Sequence, residues 1–137
     1  MPKKRNPVVS KTPAKRVRAG TKSKSSNSKL VNKPDHYAKR EPDVECIDIV
    51  ENMNFCSGNA LKYAFRAGHK VDADMKTDLQ KSIWYLKRAE KLGVGPAFTY
   101  GNVFKIRDAW LYDVATSITS ARFDDAIKLV QKELRKC

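Results

Sequence analysis

The first 34 residues of this 137-residue chain contain no acidic residue and no aromatic residue. They hold 11 of the 28 Lys and Arg residues, whereas the remaining residues hold 17 basic and 15 acidic ones. A segment of this composition buries too little apolar surface to offset an ordering cost of about 1–2 kcal/mol per residue. Residues 1–34 are therefore predicted to form a disordered cationic tail in front of a nearly neutral body.

Long apolar runs are also missing. No stretch approaches the ~18 consecutive apolar residues of a membrane-spanning helix, and no apolar region follows the basic start as in a signal peptide. The three cysteines are an odd number and too few for a disulfide scaffold, and no zinc-ligand spacing or P-loop is present. These absences predict a cytoplasmic protein with no membrane partner and no recognised metal site.

The body has apolar residues at helical spacing and no convincing strand alternation. Helices are predicted over about 44–53, 55–67, 74–91, 106–118 and 121–136. Asp43 and Asn54 are predicted N-caps, and Gly93 is a predicted helix end. The fold class is therefore all-α, a small bundle of about five helices.

Within that bundle, residues 35–42 are predicted to be an entry loop, and Val44, Ile47 and Val50 the buried stripe of the first helix. Residues 35–94 are predicted to form one helical domain. Residues 95–137 are predicted to be a C-terminal helical extension that packs on the domain or forms an interface.

Polar residues recur on single faces of the predicted helices, because positions three, four and seven residues apart share a face. These residues are Glu45 and Asp48 on the first helix, Asn59, Lys62, Tyr63 and Arg66 on the second with Lys70 just beyond it, and Asp74, Asp78, Lys81 and Tyr85 on the third. Consecutive helices with short connections tend to pack as neighbours. The three faces are therefore predicted to meet in one cleft.

Such a cleft suits a phosphorylated ligand. Arg66 can hold a phosphate with two hydrogen bonds, and the lysines add further cations. Tyr63 or Tyr85 can stack on a nucleobase, and Glu45, Asp48 or Asp78 can position a sugar hydroxyl, hold a metal or act as a general base. The alternative is an ordinary solvated surface, on which Asp78 and Lys81 form an exposed pair. Trp84 and Trp110 are predicted to be core or interface anchors.

The runs KPDHY, ECIDIVENM, FCSGNALKYAFRAGHK and DLQKSIWYLKRAEK, within residues 33–91, resemble the SaV-like family of small phage proteins. The family includes a nucleotide kinase of T-odd coliphages that phosphorylates deoxynucleoside monophosphates without a P-loop. It also includes a lactococcal phage protein that makes its phage sensitive to a host abortive-infection system. The resemblance implies a phage protein of the host cytoplasm, acting in nucleotide metabolism or in the conflict with host defence.

The family pattern falls on a set of positions that largely coincides with the polar faces. The implied ligand-binding positions are His36, Tyr37, Glu45, Asn59, Lys62, Tyr63, Arg66, Lys70, Lys81 and Tyr85, and the implied catalytic positions are Asp48 and Asp78. A nucleoside triphosphate is the implied phosphoryl donor if the chain is a monophosphate kinase. A binder that sequesters a nucleotide is the alternative.

Two further functions fit the sequence. The tail, through Lys3, Lys4, Arg5, Lys15, Arg16 and Arg18, can bind DNA or RNA without sequence preference, or it can act only in solubility and electrostatic steering. Alternatively, the chain engages a host defence protein and the polar cluster is structural. A homo-oligomer is expected, because about 100 ordered residues with many polar helix faces provide a modest core.

Overall fold

The computed structural model describes residue 31, residues 34–96 and residues 101–137. From residue 35 onward these residues form α1 (Asp35–Ala38), α2 (Cys46–Val50), α3 (Phe55–Arg66), α4 (Met75–Leu92), a 3₁₀-helix (Asn102–Lys105), α5 (Ala109–Thr119) and α6 (Phe123–Leu134). The described part of the chain contains no strand, so the predicted all-α fold is confirmed. The six tail residues predicted to contact nucleic acid lie outside the described residues.

The two helices at the centre of the bundle begin and end within about one residue of their predicted bounds. The side chain of Asn54 accepts from the Ser57 N–H at 2.9 Å to cap α3, and Asp74 accepts from the Thr77 N–H at 3.1 Å to cap α4. Gly93 ends α4 in the left-handed conformation, with φ of 67°. Side-chain oxygens at the first turn and a glycine at the end satisfy groups that the helix leaves unpaired.

The prediction for α2 was wrong in its register. Asp43 does not cap the helix, because its carboxylate pairs with Arg107. The helix begins two residues later, after Glu45, whose N–H donates to the Asp48 carboxylate at 3.3 Å. With this start Ile49 is fully buried, whereas Ile47 is 55% exposed. Ile47 is therefore not part of the buried stripe of the helix.

Two other boundaries differ from the prediction. Residues 35–42 are not a loop throughout, because Asp35–Ala38 form the short helix α1. Helix α5 begins at Ala109 rather than near residue 106, because the Asp108 side chain accepts from the Leu111 N–H at 2.8 Å and caps it.

The core lies between the long helices. Helix α3 packs along α4, α6 packs on both α4 and α5, and α5 also contacts α3. Residues 35–137 thereby form one compact unit. The fully buried side chains include Leu61, Phe65, Leu79, Leu86, Leu111, Ile118 and Val130. Because the buried side chains of α3 and α4 occupy the inner faces of these helices, their opposite faces are turned outward.

A buried carboxylate joins the segment between α1 and α2 to the start of α5. Glu41 is 2% exposed, and its two oxygens accept from the backbone N–H groups of Arg107 at 2.6 Å and Asp108 at 3.0 Å. The neighbouring Arg40 donates to the Ala67 carbonyl at 3.1 Å and lies 3.5 Å from the Asp108 carboxylate. Glu41 and Arg40 therefore hold the start of α5, and Arg40 also contacts the C-terminal end of α3.

Replacing Glu41 with Gln is expected to lower the free energy of unfolding by about 1–3 kcal/mol. The amide keeps one acceptor oxygen and turns an NH₂ group toward a backbone donor, so a buried N–H loses its partner. Urea denaturation of the full chain measures the change. The matched control is Glu90→Gln, an exposed position on α4 that is expected to stay within about 0.5 kcal/mol of the wild type. Equal stability of the two variants would contradict the bridging role of Glu41.

None of the helices in the described residues is long and apolar enough to cross a membrane.

Candidate functional site

The ring of Tyr63, on α3, lies at the centre of a cluster of cations. The Lys62 Nζ lies 4.5 Å from the ring centroid, the Arg66 Cζ 4.8 Å and the Lys81 Nζ 5.3 Å. The face of an aromatic ring carries partial negative charge and attracts cations within about 6 Å. Helices α3 and α4 therefore bring together three positive groups that are 4 to 19 residues apart in sequence.

Two of these cations form no ion pair within the part of the chain that the structure describes. Among the residues that the structure describes, no carboxylate lies within 4.0 Å of the ammonium group of Lys62 or Lys81. The predicted surface pair between Asp78 and Lys81 does not form, since Asp78 pairs elsewhere. Two uncompensated ammonium groups beside one ring create a positive potential that attracts an anion.

The third cation is neutralised by a buried partner. Arg66 donates from Nη2 to Asp78 at 2.9 Å and from Nε to both carboxylate oxygens at 3.2 Å. The Asp78 side chain is 1% exposed and that of Arg66 15%. The pair fixes the guanidinium plane beside Tyr63, and Nη1 of Arg66 has no acceptor among the described residues. The Asp78 carboxylate of this pair has no access to solvent.

Aromatic rings extend the cluster along α4. The Tyr85 ring stacks on the Tyr63 ring, with centroids 5.9 Å apart and planes at 10°. Trp84 and Phe55 each meet Tyr85 edge to face, at 5.0 and 5.9 Å. Tyr63, Lys81, Trp84 and Tyr85 line a pocket of about 280 Å³. We call the group Phe55, Lys62, Tyr63, Lys81, Trp84 and Tyr85 the aromatic–cationic face.

His36 and Tyr37, from α1, lie at the Arg66 end of this cluster. Partial burial, with the nearby charges of Arg66 and Lys70, lowers the pKa of His36 below its usual value. Burial raises the pKa of Tyr37 to about 12, and its ring packs edge to face on Phe65 at 5.8 Å. The predicted site residues of α1 are thus neutral neighbours of the Arg66 guanidinium. Lys70 lies 3.6 Å from Asp72, so part of its charge is compensated.

The remaining predicted site residues are more dispersed. Asn59 donates to the Phe55 carbonyl at 2.8 Å and lines, with Lys62, a second pocket of about 220 Å³ next to α2. The Asp48 carboxylate accepts from the backbone of Glu45, and its carbonyl accepts from the Asn102 side chain at 3.0 Å. The structure therefore gives Asp48 a role at the start of α2 and shows no contact between it and Tyr63.

Two members of the aromatic–cationic face were not among the predicted site residues. Trp84 was predicted to be an anchor in the core or at an interface; at 59% exposure it lies outside the core, beside the pocket, and its role at an interface stays a prediction. Phe55 is 72% exposed at the first position of α3. Their spacing to Lys81 and to Lys62, three and seven residues, places each on the same helix face as a cation and was the available signal.

The cysteines lie apart from this chemistry. Cys46 and Cys56 are buried and unpaired, so both behave as small buried apolar residues, as predicted. Burial raises the pKa of Cys46 to about 12, and a thiol held protonated is a poor nucleophile.

Comparison with known proteins places the cluster inside a recognised segment. Residues 31–87 match the model of a family described as proteins of unknown function, DUF3310. The matched segment contains every residue of the aromatic–cationic face and both members of the Arg66–Asp78 pair.

A curated relative carries a functional name. Over 69 residues the chain is 36% identical to the nucleotide kinase gp1.7 of Escherichia phage T7, an alignment that covers 44% of this chain and 35% of that protein. The chain therefore spans about a third of the length of this relative. No solved structure matches.

Proposed function

We propose that the chain binds a nucleoside or deoxynucleoside phosphate at the aromatic–cationic face, because this face lies within the segment that matches the DUF3310 family and because a phage relative is named a nucleotide kinase. The observation that carries this proposal is the pair of uncompensated ammonium groups, Lys62 and Lys81, over the Tyr63 ring. A nucleotide supplies both the anion and the flat ring that such a face binds.

The phosphates would lie near Lys62 and Lys81. Each ammonium has three donors, and a hydrogen bond between charged groups contributes about 1.5–3 kcal/mol. The free Nη1 of Arg66 adds a donor whose direction is fixed by Asp78. Phosphoryl transfer needs mainly positioning and neutralisation of charge, so the same groups would serve a kinase.

The base would lie in the pocket between Tyr63, Trp84 and Tyr85. Stacking of a base on an aromatic side chain contributes about 1–3 kcal/mol. The pocket of about 280 Å³ is near the lower end of the ~300–1,000 Å³ usual for small-molecule sites, which suits one nucleotide.

The two predicted catalytic carboxylates, Asp48 and Asp78, lie in different surroundings. Asp78 is buried and both of its oxygens accept from Arg66, so its proposed role is to orient Arg66 rather than to remove a proton. Asp48 is half-buried, and its carboxylate accepts from the Glu45 N–H at the start of α2. We therefore propose nucleotide binding as the primary activity, with a nucleoside triphosphate as phosphoryl donor if transfer occurs.

A thermal-shift screen of the full chain against mono-, di-, tri- and cyclic nucleotides tests the proposal. A ligand at about 100 times its dissociation constant adds about 2.7 kcal/mol of stability, so a specific nucleotide is expected to raise the midpoint by several degrees. A transfer assay with labelled ATP and each deoxynucleoside monophosphate then separates the two forms of the function. Labelled product identifies a kinase, and a shift without product identifies a binding protein. No shift with any nucleotide would contradict the proposal.

A second function rests on the distribution of charge. The 11 basic residues of the first 34, with no acidic residue among them, support nucleic-acid binding by Lys3, Lys4, Arg5, Lys15, Arg16 and Arg18. Each phosphate contact with a single strand would steepen the logarithmic salt dependence of binding by about 0.7. The two functions are compatible, because they use different parts of the chain.

A further inference from the structure

The aromatic–cationic face exposes more ring surface than one base can cover. Phe55 is 72% exposed and Trp84 59% exposed, and both lie against the half-buried Tyr85. Large apolar side chains exposed next to each other mark binding surfaces more often than isolated ones do. One nucleotide in the pocket beside Trp84 would leave Phe55 uncovered, since Phe55 does not line that pocket.

The aromatic–cationic face is elongated along the axis of α3. Phe55 begins α3 and Tyr63 lies eight residues further along it, so the two are about 12 Å apart along the helix axis at 1.5 Å per residue. Lys62 and, from α4, Lys81 lie at the Tyr63 end, around that ring. Successive nucleotides of a stacked strand are about 3.4 Å apart, so this length matches about three or four nucleotides.

We propose that the aromatic–cationic face is a binding site for single-stranded nucleic acid. Bases stack on Phe55 and Trp84, and the ammonium groups of Lys62 and Lys81 contact the phosphates that follow. Exposed rings combined with uncompensated cations are the usual surface for single strands, because every base has a π-face and every linkage a negative charge. In a duplex the base faces are covered by neighbouring pairs, so the rings have nothing to stack on.

This inference goes beyond the nucleotide site and shares Lys62, Lys81 and Trp84 with it. A mononucleotide and a strand are therefore expected to compete. The tail would add affinity through its positive charges alone, since it contains no aromatic residue that could stack on a base.

Tryptophan fluorescence of the full chain, titrated with an eight-residue oligothymidylate, tests the proposal. The chain has two tryptophans, and Trp110 is half-buried with its Nε1 donating to the Leu129 carbonyl at 3.1 Å. Stacking on Trp84 is expected to quench the emission. Trp84→Phe is expected to lose most of the quench and keep most of the affinity, because the ring remains. Trp84→Ala is expected to weaken binding by about 5- to 150-fold.

Matched variants separate the face from the rest of the molecule. Phe104→Ala removes another exposed ring, 76% exposed on the 3₁₀-helix, and is expected to leave both quench and affinity unchanged. A variant with Gln at the six tail positions Lys3, Lys4, Arg5, Lys15, Arg16 and Arg18 is expected to bind more weakly in low salt but to retain the quench.

Four outcomes decide the matter. Binding seen by anisotropy of a labelled oligonucleotide without a change in Trp84 emission assigns binding to the tail and overturns the inference. Equal affinity for a duplex of the same length overturns it as well. Binding of a mononucleotide but not of the strand overturns it and leaves the nucleotide site in place. Quenching by the strand, with no nucleotide active in the thermal-shift screen, supports it and removes the nucleotide proposal instead.

Discussion

Replacing Asp78 with Ala is expected to lower the free energy of unfolding by about 3–5 kcal/mol. The carboxylate is 1% exposed and holds Arg66 by three hydrogen bonds, so its removal leaves a mostly buried guanidinium without a counter-charge. For a unit of about 100 residues, each kcal/mol shifts the melting midpoint by about 4–8 °C. Urea denaturation and thermal melting of the full chain measure the change.

The control for this prediction is Asp72→Ala. Asp72 also pairs with a cation, Lys70, but its side chain is 81% exposed, and the loss of such a surface pair costs at most about 1 kcal/mol. The double variant Arg66→Met with Asp78→Leu is expected to recover much of the lost stability, because it removes both buried charges together. A single variant Asp78→Ala as stable as Asp72→Ala would show that the pair does not hold α3 to α4.

The double variant Lys62→Ala with Lys81→Ala is expected to weaken nucleotide binding by at least about 100-fold, since two charged hydrogen bonds of about 1.5–3 kcal/mol each are lost. The fold should be unaffected, because neither ammonium pairs with a described carboxylate and both lie at the surface of the bundle. Isothermal titration with each deoxynucleoside monophosphate and with ATP measures the affinities.

A matched double variant, Lys128→Ala with Lys132→Ala, removes the same charge from α6. Both lysines are exposed, and they line a separate surface depression of that helix. Its nucleotide affinity is expected to stay within about threefold of the wild type. If the two double variants lose affinity equally, the binding reflects net charge and not the geometry around Tyr63.

Local chemistry made much of the fold predictable. The positions of Asn54, Asp74 and Gly93 set the limits of α3 and α4, because caps act on groups within one turn. Helical periodicity also placed Lys62, Tyr63 and Arg66 on one outward face of α3, opposite Leu61 and Phe65. The start of α2 was harder, since two acidic residues compete for the cap and only the contact of Asp43 with the distant Arg107 decides between them.

The site was less predictable than the fold, because it depends on contacts between helices. Spacing allowed Asp78 to pair with Lys81 one turn away, but the packing of α4 on α3 turns Asp78 inward to Arg66. Trp84 was predicted to anchor the core or an interface. Its spacing to Lys81 places it on the face with that cation, but only the packing of α4 on α3 shows that this face is turned outward.

The hydrogen bonds of Glu41 connect the family segment to a part of the chain outside it. The two carboxylate oxygens of Glu41 accept from the amides at the start of α5, beyond the last residue that matches the family. A fragment trimmed to the matched residues would lack both amides that Glu41 bonds, and the face of α4 that packs on α6 would be exposed to solvent. We expect such a fragment to aggregate when expressed alone, so the recognisable part of the gene is smaller than the part that must be cloned.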